Sequence, residues 1–254
     1  RFEPRSALVA GENGLADLRH LIEYAPVHLN DGGYLLLEHG WKQGEEVRSI
    51  FWQNHWQGVA TIRDYGDNER VTLGYWKRYD QKALYAELTH FYLSICEKEQ
   101  LDEPRLRGLV GSLVRKARQA IPEEWDDKAK IHQLLQLFYG DWGFHCDADN
   151  YFYARNLYLP YILEEREGMP VSLGALILYL AASLKLPIYP VNFPTQLILR
   201  AEVDGEVAFI DPWSGKYISV DELKKLYEGA FGFGAQIQPE DLARADIPML
   251  IARF

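Results

Sequence analysis

The sequence predicts an α+β chain made of two stretches of different texture, and three observations carry that prediction. Up to residue 76 the apolar runs follow the order helix, strand, helix, strand, strand. Between Leu84 and Phe138 three stripes of apolar residues recur at helical spacing. Nearer the end, "NFPTQLILRAEVDGEVAFIDPW", Asn192 to Trp213, reads as a tight hairpin with a polar residue close to each strand end. The polar stretch "KRYDQKA" carries no periodic pattern and is the predicted junction, giving parts over residues 1–79 and 80–254.

The first part opens with a helix over Leu15 to Leu29, since Leu18, Leu21, Ile22, Ala25 and Leu29 share one face. "NDGG" ends it, and Tyr34 to Glu38, "YLLLE", is a short apolar run of the kind that sits inside a sheet. Val47, Ile50, Phe51 and His55 mark the inner stripe of a second helix. The runs "VATIRD" and "RVTLGYW" are strands parted by "YGDNE", whose Gly, Asp and Asn favour a turn.

In the second part Leu84, Leu88, Phe91, Tyr92 and Ile95 form one helical stripe, and Leu106, Leu109, Val110, Leu113 and Val114 a second. Ile131, Leu134, Leu135, Leu137 and Phe138 form a third, closed by Gly140. A loop-rich region from Asp141 to Leu159 leads to a buried helix over the apolar run Val171 to Leu184. After the hairpin, Val220 to Tyr227 reads as a helix and "GAFGFGAQ" as a Gly-rich loop.

Bulk properties narrow the classes of function. Twenty-seven Lys and Arg against 37 Asp and Glu give a net charge of -10, which repels phosphate backbones, so no nucleic-acid partner is expected despite the basic group Arg115, Lys116 and Arg118. Cys96 and Cys146 are too few for a disulfide framework or a metal cluster, and a reducing cytoplasm is the expected setting. The apolar run ending at Lys185 falls short of the ~20 residues of a membrane span, and the opening "RFEPRSALVAG" has no secretory apolar region. Beginning with Arg, the sequence is expected to have lost or omitted an upstream part.

Within the first part, "GGYLLLEHGWKQG" and the distal "DNERVTLG" closely resemble the last part of the HemK/PrmC release-factor glutamine methyltransferases. The resemblance implies the carboxyl end of an α/β methyltransferase sheet: a fifth strand, a helix and the closing pair of strands. It also implies a need for S-adenosylmethionine, but only with the upstream half, because the Gly-rich turn that approaches that cofactor is missing. The family's "NPPY" signature is missing too; "LPYI" at 159–162 lacks the Asn. This chain alone is therefore expected to bind no cofactor. Removing the upstream strands leaves Tyr34 to Glu38 as an apolar edge through which the chain is expected to self-associate.

Within the second part, "LPYILEEREGMPVSLGALILYLA", "FPTQLILR" and "IDPWSGK" resemble, in order, the bacterial SirB family, whose shared part is a transglutaminase-like core. That resemblance implies three chemical positions: a thiol at the start of a buried helix, a His after it, and an Asp orienting the His. A helix start lowers a thiol's pKa, which is why the nucleophile belongs there. "GMPVSLGAL" has no cysteine; Ser172 is the hydroxyl nearest that place, with Pro170 and Val171 as the other candidates for it. Where many relatives carry His in a Pro-Gly-His context, this chain has Gln196, whose amide takes no proton at neutral pH.

Counting along the hairpin tests whether the remaining acid could meet that position. With Asp204 and Gly205 as a two-residue turn, Val203 faces Glu206, Leu199 faces Ile210 and Ile198 faces Asp211, so Gln196 and Asp211 become diagonal neighbours. Ser172, Gln196 and Asp211 are thus degenerate triad positions, and no confident catalytic residue is assigned. His145 and Cys146, adjacent in an extended segment, are expected to point apart and not to substitute. "DADN", Asp147 to Asn150, lacks the Gly and Glu of a calcium loop, so no metal is expected. What remains is an aromatic-walled pocket of Trp142, Tyr158, Phe193 and Trp213, suited to a protein partner. The expected function is binding or regulation without catalysis. The alternatives are part of an S-adenosylmethionine-dependent release-factor N5-glutamine methyltransferase, or a hydrolase using Ser172.

Overall fold

A computed structural model describes residues 14–77, 102–149, 151, 153–191 and 193–253. The predicted junction beyond Lys77, the stripe from Leu84 to Ile95, Cys96, Asn150 and Asn192 lie outside them. The chain divides into two compact units, one of residues 1–78 with 238–244 and one of residues 79–237 with 245–254.

The first unit runs α1 (Ala16–Tyr24), β1 (Tyr34–Glu38), α2 (Gly44–Gln53), β2 (Gln57–Arg63) and β3 (Glu69–Tyr75). Pro26, two residues past the end of α1, turns the chain into a single 3-10 turn, Ala25–His28, so the helix ends earlier than its apolar stripe suggested. The sheet is antiparallel in the order β1-β3-β2. β1 therefore occupies an edge and is not buried on both faces, as its composition suggested: Leu37 is buried, but Tyr34 and Leu36 are 59% and 56% exposed. His55 does not continue the stripe of α2 either; it follows the helix end with φ 67. The core gathers Ile22, Leu37, Val47, Ile50 and Phe51 around Trp56, whose indole N–H donates to the Ile22 carbonyl (3.1 Å).

A buried polar chain ties α2 to this sheet. Arg48 donates to Thr61 Oγ1 and to Glu69 Oε2, both at 2.9 Å. Thr61 and Thr72 hydroxyls lie 2.9 Å apart, and Thr72 Oγ1 is 2.9 Å from His39 Nε2. His39 Nδ1, 3.0 Å from the Gly40 carbonyl, donates there, so the ring, Thr72 and Thr61 form one continuous hydrogen-bonded chain.

The second unit comprises α3 (Glu103–Ala120), α4 (Asp127–Leu135), α5 (Leu159–Glu165), α6 (Pro170–Ser183), β4 (Ile188–Val191), β5 (Ile198–Val203), β6 (Glu206–Asp211), β7 (Lys216–Ile218), α7 (Val220–Phe231) and α8 (Ile247–Ile251). Side chains mark several helix starts: Asp102 accepts from Arg105 N–H, Asp126 from Ala129 N–H, and Asp246 from Met249 N–H. Past α4 the chain widens into a π-turn, Gln136–Asp141, that includes Gly140. α7 runs on through Gly229 to Phe231, into residues the sequence marked as loop. The four strands form one antiparallel sheet in chain order. The hairpin register is the counted one, Val203 opposite Glu206 and Leu199 opposite Ile210, and Asp204 and Gly205 both take the positive φ of a type I′ turn (52 and 81). The apolar helix α6 lies inside: eleven of its fourteen residues are buried.

Thr72 sits mid-chain in the buried network of the first unit. Replacing it with Val leaves His39 Nε2 without its hydrogen-bond partner and is expected to cost about 1–3 kcal/mol, read by native-state hydrogen exchange of the β1 and β3 amides; Thr72→Ser should restore most of it.

Candidate functional site

A cavity of about 880 Å³ opens in the second unit. Its walls come from the start of α6 (Met169, Pro170, Val171), the segment before β5 (Thr195, Gln196, Leu197), the end of β6 and the turn after it (Asp211, Trp213), and α7 (Glu222, Lys225, Leu226). Tyr151, Ile218 and Arg253 complete it. Gly174 permits this assembly, because a Cβ there would come within 2.7 Å of Leu197 and 3.4 Å of Pro212.

Gln196 and Asp211 both line the cavity. Asp211 Oδ1 accepts from the Trp213 N–H (3.0 Å) and Oδ2 from Ser214 Oγ (3.0 Å), so its carboxylate holds the turn that follows β6. The same turn receives the Tyr139 hydroxyl, which donates to the Pro212 carbonyl. Gly215 closes it with φ 68 where a Cβ would fall 2.1 Å from the Tyr139 ring.

Ser172 stands at the third position of α6 and is 4% exposed. Its Oγ accepts from the Met169 N–H (2.9 Å) and lies 2.7 Å from the Asn156 carbonyl and 3.0 Å from that of Met169, so its single proton is donated to a backbone oxygen. The hydroxyl is committed to the helix start, while Pro170 and Val171 face the cavity with no nucleophilic atom.

Cys146 sits behind Asp211. Burial, with the Asp211 carboxylate second, pushes its thiol up to about 12, and burial raises the Tyr139 phenol well above its ordinary value, with Cys146 and Asp211 adding to the shift. Such a thiol stays protonated near neutral pH, the opposite of an activated nucleophile. His145 is exposed and its Nδ1 donates to the Gly143 carbonyl (3.0 Å), so the two neighbours point to different surroundings.

Of the four aromatic residues read as pocket walls, Trp213 lines the cavity, with Tyr151 stacked on it at 5.6 Å. Trp142 and Tyr158 pack against the hydrophobic core instead. Phe193 is fully buried beside Tyr227, and its carbonyl accepts from Arg253. Tyr151, Lys225 and Arg253 arrive at the cavity from three distant segments, and no local pattern marks Tyr151 or Arg253. The i, i+3 spacing of Glu222 and Lys225 beside Leu226 was the one available signal of a polar helix flank. Among the described residues no group of three His, Cys, Asp or Glu is placed to hold a metal ion, and no helix is long and apolar enough to cross a membrane.

A helix start, a polar position before a strand and an aspartate at the end of the neighbouring strand all line one cavity. Residues 105–254 match the family model of the transglutaminase-like superfamily, and the chain belongs to that superfamily. Its relatives include a UPF0162 protein of Haemophilus influenzae, 65% identical over 177 residues (70% of this chain, 66% of that one), and the UPF0162 protein YchA of Escherichia coli K12, 41% identical over 168 residues (63% and 61%). Over 78 residues the chain is also 69% identical to the release factor glutamine methyltransferase of Haemophilus influenzae, covering 31% of this chain and 27% of that one. It thus spans about two-thirds of the first UPF0162 relatives and about a quarter of the methyltransferases. A solved structure described as that of a TGase aligns over 80% of this chain and 57% of its own at 13% identity and a TM-score of 0.33, too loose a likeness to carry an argument.

Two measurements follow. Gly215→Ala combines a left-handed backbone with an overlap onto Tyr139 and should destabilise the second unit by about 2–4 kcal/mol in denaturant titration. With Cys96 replaced by Ser, alkylation of native Cys146 by iodoacetamide should be far slower than in the unfolded chain at pH 8 and rise steadily toward pH 12. Because the folded value lies above the unfolded one, the stabilisation linked to this thiol is complete below pH ~9 and is lost as pH rises through about 12.

Proposed function

We propose that the second unit is a binding module without catalysis, in which the cavity around Gln196, Asp211 and Trp213 holds part of a protein partner. The observation that supports this most is Gln196 at the position of the base: its amide can donate and accept hydrogen bonds but cannot take a proton. The commitment of Ser172 to the helix start and the protonated thiol of Cys146 argue the same way. A stacked Tyr151 and Trp213 pair beside an amide offers an apolar platform with one directional polar contact, the composition of a recognition surface.

A second reading is favoured by the likeness of the first 78 or so residues to the release factor glutamine methyltransferases. There the chain is one end of an S-adenosylmethionine-dependent enzyme that methylates a glutamine of a release factor, with its catalytic half upstream. Calorimetry separates the two: no heat is expected when S-adenosylmethionine is added to this chain, and saturable heat would favour the second reading.

The binding reading is tested by amine incorporation into dimethylcasein with dansylcadaverine and by retention of partners from a bacterial lysate. We expect no incorporation, and a retained protein that is lost with Trp213→Ala and Gln196→Ala. Incorporation abolished by Cys146→Ala or Ser172→Ala would overturn it.

A further inference from the structure

We infer that the cavity of the second unit takes a carboxylate of its protein partner, carried next to an apolar residue. This chemistry deepens the binding reading given above and rests on it. Around the cavity the acceptors are spent and the donors are not. Two carboxylates line it, Asp211 and Glu222. Both oxygens of Asp211 accept from the turn that follows β6, one from the Trp213 N–H and one from the Ser214 hydroxyl. Glu222 Oε2 accepts from the Ser219 N–H (2.8 Å) and from the Ser219 hydroxyl (2.7 Å), which closes the first turn of α7. Both acids are engaged by their own chain.

The donors stand otherwise. Lys225 lines the cavity from the next turn of α7 and is in ion-pair contact with no carboxylate among the described residues. The Ser219 hydrogen bonds, and after them the charge of Lys225, hold the Glu222 carboxyl below its ordinary value. The Gln196 amide and the Thr195 hydroxyl, also on the cavity, hydrogen-bond no described group. Arg253 brings a second cation, and its donation to the Phe193 carbonyl orients the guanidinium in the wall. Burial lowers that group from its ordinary value, yet a guanidinium stays charged. A cation stripped of part of its water gains most from an anion that takes the water's place.

A carboxylate accepts several hydrogen bonds and donates none, so it matches Lys225, Gln196 and Thr195 together. A cationic group would meet two like charges and find both acids engaged. The stacked rings of Tyr151 and Trp213, with Ile218 and Leu226 beside them, give an adjoining apolar side chain its place. At about 880 Å³ the cavity has room for a dipeptide. The charge of -10 on the whole chain repels an acidic partner from afar, but salt at physiological strength screens that field beyond about 8 Å. Contact is then decided by the donors at the site.

The test follows the Trp213 indole N–H and the Gln196 side-chain amide by nuclear magnetic resonance in the labelled full chain, with N-acetylated dipeptides up to about 20 mM. The probes are Glu-Leu amide, its uncharged isostere Gln-Leu amide, Lys-Leu amide, and Gln-Leu with a free terminal carboxylate. At least one carboxylate peptide is expected to bind about tenfold more tightly than Gln-Leu amide. A preference for Glu-Leu amide assigns the group to an acidic side chain, and a preference for the free terminus assigns it to a chain end. Lys225→Glu should erase the preference. Lys224→Glu, the same change of net charge at a side chain 60% exposed, should leave it intact. Equal shifts from charged and uncharged peptides, a preference for Lys-Leu amide, or no shift from any probe overturns the inference. The binding reading is judged apart, by retention from lysate. A partner lost with Trp213→Ala but kept with Lys225→Glu removes the carboxylate alone, whereas a chain that retains no protein removes the reading beneath it.

Discussion

The burial of α6 on nearly every side is the constraint from which the site follows. A helix with eleven of fourteen residues inside leaves little of its first turn to water, so protein atoms meet the N–H groups there. Ser172 supplies one partner by turning back to Met169, and in doing so it also binds the loop that carries Asn156. Ser172 is thereby a structural clamp. Gly174, one turn on, lets Leu197 and Pro212 close against the helix and fixes the distance between the cavity walls.

Around that helix the polar groups are occupied in a consistent way. Asp211 holds Trp213 and Ser214, Glu222 caps α7 by accepting from the Ser219 N–H and hydroxyl, and Tyr139 ties the intervening turn to the core. The cavity keeps its shape without a charged relay. The stacked ring pair of Tyr151 and Trp213 and the side chain of Gln196 border it.

Much of this was legible because it was local. Asp204 and Gly205 fix the hairpin register between them, and the apolar run after Gly168 is a buried helix whatever surrounds it. The edge position of β1 was not legible, since its composition is that of an inner strand and its missing neighbour is not written in it. The short strands β4 and β7 have too few residues to show a period, and α5 opens with Pro160, which reads as punctuation but sits harmlessly in a first turn. Gly229 looked like a loop residue and was absorbed by α7. Pocket walls drawn from aromatic content alone favoured Phe193 and Trp142, because size and hydrophobicity do not say which side of a wall a ring occupies. Lys225 and Arg253 meet the cavity only after folding.

The double occupation of the Asp211 carboxylate separates two fates that usually travel together. Both of its oxygens serve the turn that follows β6. Loss of the acid itself would loosen the turn whatever chemistry survived. An aspartate held in this way is needed by the architecture of the turn, whatever the cavity beside it does.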